Sequence, residues 1–315
     1  MQIFHHLDDI PADFGPTFVS VGNFDGVHRA HRHVIEEIVE GAKAANAKSV
    51  VVTFEPHPTR ILRPDYDFKL LTPLPEKLSL LASTGVDGIL LLPFSRDLSL
   101  MTPHQFAHDI LKKRLRASEI HEGYNFHFGH KAEGDIQRLR ELGREMGFEV
   151  HDYPEMRLRG ENVSSSHIRK LLSAGQVSRA RHLLARPFSI LSTPGRGRGY
   201  GSKYTVPTIN LARYEELVPK NGVYITRTRV GKGLQSECFD SVTNIGNRPT
   251  FGADSFAIES HLLNFHPIEL SPETEIELYF LDRLRDEMKF PSVEVLRAQI
   301  GRDVAKAQRY FRLLK

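Results

Sequence analysis

The sequence predicts two domains of different class: an α/β domain built on a parallel sheet, then a mainly-β domain, an antiparallel barrel with a C-terminal helix. Three observations predict it. Up to about residue 185, apolar β-branched runs alternate with helical patterns, as in a parallel sheet covered on both faces. From Pro187 to Leu281, short β-like runs follow one another with no helical pattern between them. The length of 315 residues suits two domains, and 40% hydrophobic residues are enough for two cores. The boundary is placed at Arg186-Pro187, because a residue before proline avoids the helical region, giving domains 1–185 and 186–315.

In chain order, Thr17 to Val21 reads as a strand and His31 to Ala45 as a helix, with Val34, Ile35, Ile38 and Val39 as its apolar positions. Ser49 to Phe54 (SVVVTF) reads as a buried parallel strand stopped by Glu55-Pro56-His57-Pro58. Glu76 to Ser83 is helical, Gly88 to Leu92 a strand, and Met101 to Arg114 helical with Pro103 suited to its first turn. Glu119 to Gly123, Arg138 to Met146 and Phe148 to Tyr153 continue as strand, helix and strand, and short helices follow at Ile168 to Leu172 and Gln176 to Ala185. In the second half, Pro187 to Leu191, Val206 to Leu211, Gly222 to Val230, Glu237 to Ile245, Phe256 to Leu263 and Glu275 to Leu281 read as β. The closing helix, Ser292 to about Phe311, has Val293, Leu296, Ile300 and Val304 along one face.

The stretch Val21 to Ile35, VGNFDGVHRAHRHVI, is the first candidate site. A strand, a glycine turn and a helix start aim backbone N–H groups at an anion. His28 and His31 add side-chain donors where the helix terminus already favours negative charge. His33 makes a metal site conceivable, but the nearest cysteine is Cys238 and no second ligand cluster stands in register.

Net charge of +3 is compatible with phosphorylated ligands, and lacks the concentrated charge of a nucleic-acid binder. One cysteine excludes an internal disulfide and fits a reducing compartment. The opening MQIFHHLDDIPADF has neither a basic n-region nor an apolar h-region, so no signal peptide is expected. The longest strongly apolar run, Ile89 to Leu92, is too short to span a membrane. Oligomeric state is not specified by these features.

FDGVHRAH closely resembles the FDGVHxGH signature of bacterial FAD synthetases, which belong to the HxGH nucleotidylyltransferases; Ala30 stands in place of the second glycine. The resemblance implies a Rossmann-like nucleotidylyltransferase fold that transfers AMP from ATP, with Gly22, Phe24, Asp25 and Gly26 shaping the ATP turn. GYNFHFGHKAEGD resembles the GxNFxFG segment, which implies that Asn125 contacts the nucleotide or flavin, while Phe126 and Phe128 pack inward on the residues' own evidence. NVSSSHIRK resembles ISSTxIR; Ser164, Ser165, Ser166 and Arg169 occupy its positions, with Ser166 replacing Thr. One serine would suffice as a helix cap, so three serines plus Arg169 suit triphosphate oxygens.

In the second half, GRGRGYGSK followed by VPTIN resembles the riboflavin kinase signature GRxxGFPTAN, whose Thr and Asn hold Mg-ATP. Thr208 and Asn210 match position by position, and Gly195, Gly197 and Lys203 lie in the phosphate loop; the stretch Gly199 to Thr205 departs by being longer and lacking the Gly-Phe step. It has no Walker A register, and as an RNA-binding Arg-Gly segment it is a single short patch. TNIGNRPTFG resembles NIGxxPTFG, and ESHLLNF resembles ExHLLDF, in which the Glu, here Glu259, is the general base. Strand alternation puts Glu259, His261 and Leu263 on one face, where a partly buried carboxylate can have a raised pKa. LRDEMKF with Gln299-Ile300 resembles the family ending and implies Arg285 near the flavin.

Together these motifs identify a resemblance to bifunctional riboflavin kinase/FAD synthetases. It implies a cytoplasmic enzyme that uses ATP and Mg²⁺, phosphorylates riboflavin to FMN and adenylates FMN to FAD, with His28, His31, Arg169 and Glu259 as the catalytic candidates. Two alternatives compete: retention of one activity only, or a flavin- or nucleotide-binding regulator without turnover. No nucleic-acid or membrane partner is expected.

Overall fold

The computed structural model describes residues 1–195, 208–247, 256–266, 268 and 270–314. The chain forms two compact units, Met1–Ser165 and Ser166–Lys315.

The first unit is a six-stranded, all-parallel sheet of β1 (Gln2–Phe4), β2 (Thr17–Val21), β3 (Lys48–Glu55), β4 (Gly88–Pro93), β5 (Ala117–Gly123) and β6 (Glu149–Tyr153), in the order β1-β4-β3-β2-β5-β6. Alternate side chains feed two cores. Val19, Val21, Val50, Val52 and Ile120 pack under Phe106, Ile110, Leu139 and Leu142 on one face. Phe18, Val51 and Ile89 pack against Ile35, Ile38, Ala42 and Leu81 on the other. Each such buried aliphatic side chain is worth about 1.5–3 kcal/mol, which is why these strands read as continuous apolar runs.

The first helix is Arg29–Ala44, so it starts two residues before the expected His31, because His28 caps it. The expected helix from Met101 is a Thr102-capped turn with Pro103 in first position, then an Phe106–Arg114 segment wound with wider bonds such as Leu115 N–H to Ile110 O at 2.9 Å. β1 and a two-stranded hairpin of β7 (Arg157–Leu158) and β8 (Glu161–Asn162) are additions to the sequence reading; each strand is too short to show a period.

Chain order runs outward from β2 through β3 to β4, then crosses to β5 on the other side of β2. That reversal opens a crevice at the carboxyl ends of β2 and β5. Their backbone pairing stops at Val19 and Ile120. Beyond it the Val21 N–H donates to the Glu122 carboxylate instead, at 2.5 Å.

The second unit carries the helix Ser165–Ser173 from its second residue on, the helix Val177–Leu184 and an antiparallel sheet of β9 (Phe188–Ser192), β10 (Thr208–Asn210), β11 (Gly222–Val230), β12 (Glu237–Asn247), β13 (Phe256–Leu262) and β14 (Ile276–Arg285). The order is β10-β13-β12-β11-β14-β9, and a bridge between Pro194 and Leu211 links the two edges, rolling the sheet into a barrel. Inside lies a fully buried hydroxyl cluster: Thr226 bonds Ser241 and Thr243 at 2.8 and 2.7 Å, and Thr228 bonds Ser241 and Ser260 at 2.8 Å each. Mutual bonding satisfies these hydroxyls without water.

The closing helix, Val293–Leu313, corrects one expectation. Its buried residues are Asp303, Ala307 and Phe311, packed with Val304 and Tyr310 on Val223, Ile225 and Leu281, whereas Val293, Leu296 and Ile300 are exposed. The apolar stripe is continuous in sequence, but the sheet covers only its C-terminal half.

Candidate active sites

In the first unit, the turn after β2 is strained and tied down on every side. Phe24 and Val27 have positive φ values of 48° and 37°, and Gly26 has 87°. A β-branched residue there costs of order 1–3 kcal/mol, so the surroundings must hold it. Phe24 and Val27 are buried, and the Asp25 carboxylate accepts the Leu71 N–H at 3.0 Å and the Thr72 N–H at 3.1 Å. The Asp25 carbonyl accepts the Ser165 hydroxyl at 2.8 Å. Gly22 donates to the Val52 carbonyl at 2.9 Å, and a Cβ on it would press on the Phe24 ring at 3.3 Å.

His28 caps the helix: its Nδ1 accepts the His31 backbone N–H at 3.3 Å. Its ring proton therefore sits on Nε2. His31 stacks on His28 with centroids 3.6 Å apart, and its Nδ1 is buried without a partner. Burial, and then the neighbouring His28, push the His31 pKa well below the usual imidazole value. A neutral imidazole with an unused nitrogen at a helix N-terminus is a site prepared for an anion. Ala30 lies in the first helical turn, half-buried.

The remaining N-terminal candidates are distributed as follows. Asn125 is exposed in the loop leaving β5 at the crevice. Phe128 is buried and stacks on Phe126 at 5.4 Å, as the inward packing requires, and Gly134 is needed because a Cβ would meet the Phe128 ring at 2.7 Å. Ser164 and Ser165 are half-buried, Ser166 is exposed, and Arg169 lies in the helix that begins at Ser165.

Three buried groups surround the turn; sequence reasoning pointed to the strand end that carries His57 but missed Lys77 and Glu122. The Lys77 ammonium sits 3.2 Å from Thr53 Oγ1, 3.4 Å from the Phe54 carbonyl and 3.5 Å from the Asn23 carbonyl. Burial lowers its pKa, opposed by the Glu55 and Asp25 carboxylates. Glu122 is buried in the crevice and burial raises its pKa well above the carboxylate range, against the Val21 N–H bond. His57 caps the Pro58–Leu62 helix by accepting the Thr59 N–H and stacks on Phe68 at 4.3 Å. Parity with Ile120 was an available signal for Glu122; nothing local marked Lys77.

In the second unit, strand register assembles a row. Asn210 of β10 lies opposite Glu259 of β13, which lies opposite Asn244 of β12. Next to it, Thr208 lies opposite His261, which lies opposite Val242. Directly opposed residues share a face, so Thr208, Asn210, Asn244, Glu259 and His261 line one surface of the barrel wall. Ile258, Ser260 and Leu262 point to the other side and are buried, while Glu259 and His261 are half-buried. Burial lowers the His261 pKa. Leu263 lies beyond the strand, where its N–H donates to the Asp240 carbonyl at 2.8 Å.

Gly195 has a packing reason of its own. Its N–H donates to the Asn210 carbonyl at 2.8 Å, and a Cβ would stand 2.5 Å from the Leu211 carbonyl oxygen. Gly197, Lys203 and the rest of the Gly199 to Thr205 stretch lie outside the described residues, as do Val206 and residues 248–252 of the TNIGNRPTFG motif. The Arg285 guanidinium is engaged by the buried Asp303 carboxylate at 2.9 Å, which also accepts the Gln299 amide at 2.8 Å, and lies 5.7 Å from the Phe290 ring centroid. This clamp fixes the closing helix to the end of β14.

A family model described as FAD synthetase matches residues 10–167, and one described as riboflavin kinase matches residues 184–311. Proteins named bifunctional riboflavin kinase/FMN adenylyltransferase are similar over nearly the full length. That of Escherichia coli K12 is 33% identical over 99% of this chain and 97% of its own. That of Pseudomonas fluorescens is 32% identical over 98% and 97%, and that of Haemophilus influenzae 30% over 99% of each. A crystal structure described as a macrolide-efflux protein from Streptococcus pneumoniae superposes with a TM-score of 0.87, at 25% identity, over 97% of this chain and 98% of that one. Among the described residues, no helix is long and apolar enough to cross a membrane.

Proposed function

This chain belongs to the family of bifunctional riboflavin kinase/FMN adenylyltransferases, and from that premise we propose how its two sites perform the two reactions. The riboflavin kinase part transfers the γ-phosphoryl group of ATP to riboflavin, giving FMN and ADP. The FAD synthetase part transfers AMP from ATP to FMN, giving FAD and pyrophosphate. We assign the first activity to residues 186–315 and the second to residues 1–185, keeping the serine-arginine segment with the α/β domain whose signature it resembles.

In adenylyl transfer, an FMN phosphate oxygen attacks the α-phosphorus of ATP, and the bond to the β-phosphate oxygen breaks with its electron pair leaving on pyrophosphate. The nucleophile is the substrate itself, so the protein supplies alignment and charge stabilisation. His28 offers its Nε2 proton to the triphosphate. His31, neutral in the free site, gains a proton as the anion arrives beside it. The Gly22 to Gly26 turn directs its backbone at the phosphates. Ser164, Ser165, Ser166 and Arg169 add donors by resemblance to the ISSTxIR segment, and Asn125 faces the nucleotide or flavin side.

In the kinase reaction, Glu259 accepts the ribityl hydroxyl proton as that oxygen attacks the γ-phosphorus, and ADP leaves. Thr208 and Asn210 offer a hydroxyl and an amide oxygen on the face that carries Glu259, a hard-oxygen set suited to Mg²⁺. When bound, Mg²⁺ neutralises phosphate charge there. Gly195, Gly197 and Lys203 hold the phosphates, and Arg285 lies on the flavin side. We place the enzyme in the cytoplasm, where ATP is made and the free, exposed Cys238 stays reduced.

The observation that carries this reading is the Asn210–Glu259–Asn244 row in one unit together with the capped, anion-ready His28–His31 pair in the other. Purified protein incubated with riboflavin, ATP and Mg²⁺ tests it, with products resolved chromatographically. FMN and FAD are both expected. FMN alone would leave the α/β site silent, and bound flavin with no product would make the chain a regulator.

A further inference from the structure

Away from the β2 turn, the first unit holds a second constellation that neither reaction uses. Glu119 and His121 alternate onto one face of β5, and the register places His151 of the edge strand β6 directly opposite His121. The Nε2 atoms of His121 and His151 each lie 3.1 Å from the same oxygen of Glu119, Oε2. The ligand atoms of these residues all lie within 4.8 Å of one another.

We propose that Glu119, His121 and His151 bind a borderline divalent cation of the Zn²⁺ type. The chemistry selects the ion: two imidazoles and one carboxylate suit Zn²⁺ or Co²⁺, whereas Mg²⁺ prefers an all-oxygen set. Ligands held about 2.0–2.1 Å from one Zn²⁺ lie roughly 3 Å apart, and each imidazole Nε2 stands at about that separation from the Glu119 oxygen. The second shell is in place as well. His121 is buried and its Nδ1 meets the Tyr153 hydroxyl at 2.8 Å, which fixes the ring and turns Nε2 towards Glu119. Glu37 of the first helix, paired with His33 at 3.9 Å, adds negative charge close to His121. His151 is half-exposed, so an ion can enter and retain a water as its fourth ligand. Bound there, the cation cross-links the edge strand β6 to β5 and serves stability rather than phosphoryl chemistry.

The test uses the full chain, stripped with a chelator that is then removed, and titrated with Co²⁺ while its ligand-field absorbance is followed. One saturable site is expected, displaced by an equivalent of Zn²⁺ and untouched by excess Mg²⁺, with a higher unfolding temperature in the loaded protein. His151→Ala, at a half-exposed ring, and Glu119→Gln, which keeps the side-chain shape, are each expected to weaken binding at least about 10-fold. The double variant His5→Ala, His6→Ala is expected to bind as the parent does. The proposal is overturned if the parent shows no saturable absorbance, or if both His151→Ala and Glu119→Gln, folded by circular dichroism, titrate as the parent does.

Discussion

Replacing Asp25 with alanine probes the strained turn most sharply. The carboxylate is 2% exposed and receives the N–H groups of Leu71 and Thr72, themselves 2% and 1% exposed. Removing it leaves two buried donors without a charged acceptor. An unsatisfied buried donor costs about 1–3 kcal/mol, so the expected loss is about 2–6 kcal/mol, a large part of a domain's usual stability. The loss falls where Phe24 and Val27 must be held at positive φ, so the turn relaxes before the sheet does. Asp25→Asn keeps one acceptor oxygen and should cost about half as much, leaving a folded protein. Urea unfolding followed by circular dichroism gives the stability, and amide exchange at Leu71 and Thr72 gives the local effect. Both exchange rates should rise and FAD formation from FMN should fall, while riboflavin phosphorylation continues. Unchanged exchange and an unchanged midpoint in Asp25→Ala would refute the reasoning.

Three further outcomes are expected. Because burial holds His31 neutral in the free site, ATP binding to the α/β site should take up protons near and below pH 6.5, and affinity should rise as pH falls through that range; calorimetry in two buffers of different ionisation enthalpy measures this, and zero uptake contradicts it. Glu122 has a folded-state pKa above its unfolded value, so its stabilisation is complete below about pH 4.5 and is lost as pH rises through the folded pKa; Glu122→Gln, free of that loss, should gain on the parent in urea midpoint as pH rises, and parallel profiles would exclude the assignment. Gly195→Ala sets a Cβ 2.5 Å from the Leu211 carbonyl oxygen, so the Pro194–Leu211 bridge should open, with kinase activity and barrel stability falling together while FMN adenylation persists.

Much of this molecule was legible in its sequence because the relevant signals are local. β2, β3 and β4 announce themselves as apolar runs, and β11 runs over Gly222–Val230 as its pattern indicates. The β2 turn was legible because glycine, histidine and a helix start are contiguous. What the sequence conceals is set by pairing across distance. Thr208, Asn210 and Asn244 join Glu259 and His261 only through antiparallel register, and His121 meets His151 only through the β5–β6 ladder. Lys77 sits in a helix with Leu78 and Leu81, and only the approach of β3 shows that its ammonium turns inward. The closing helix shows the opposite error: a real apolar stripe whose first half the sheet does not cover.

The two chemistries are assigned to separate sites, with Glu259 proposed as the base of only one. Supplying Glu259→Gln with riboflavin and ATP, and separately with FMN and ATP, tests that assignment directly. No FMN from riboflavin is expected, with parent-like conversion of FMN to FAD. Loss of both activities in a folded variant, or undiminished phosphorylation of riboflavin, would contradict it.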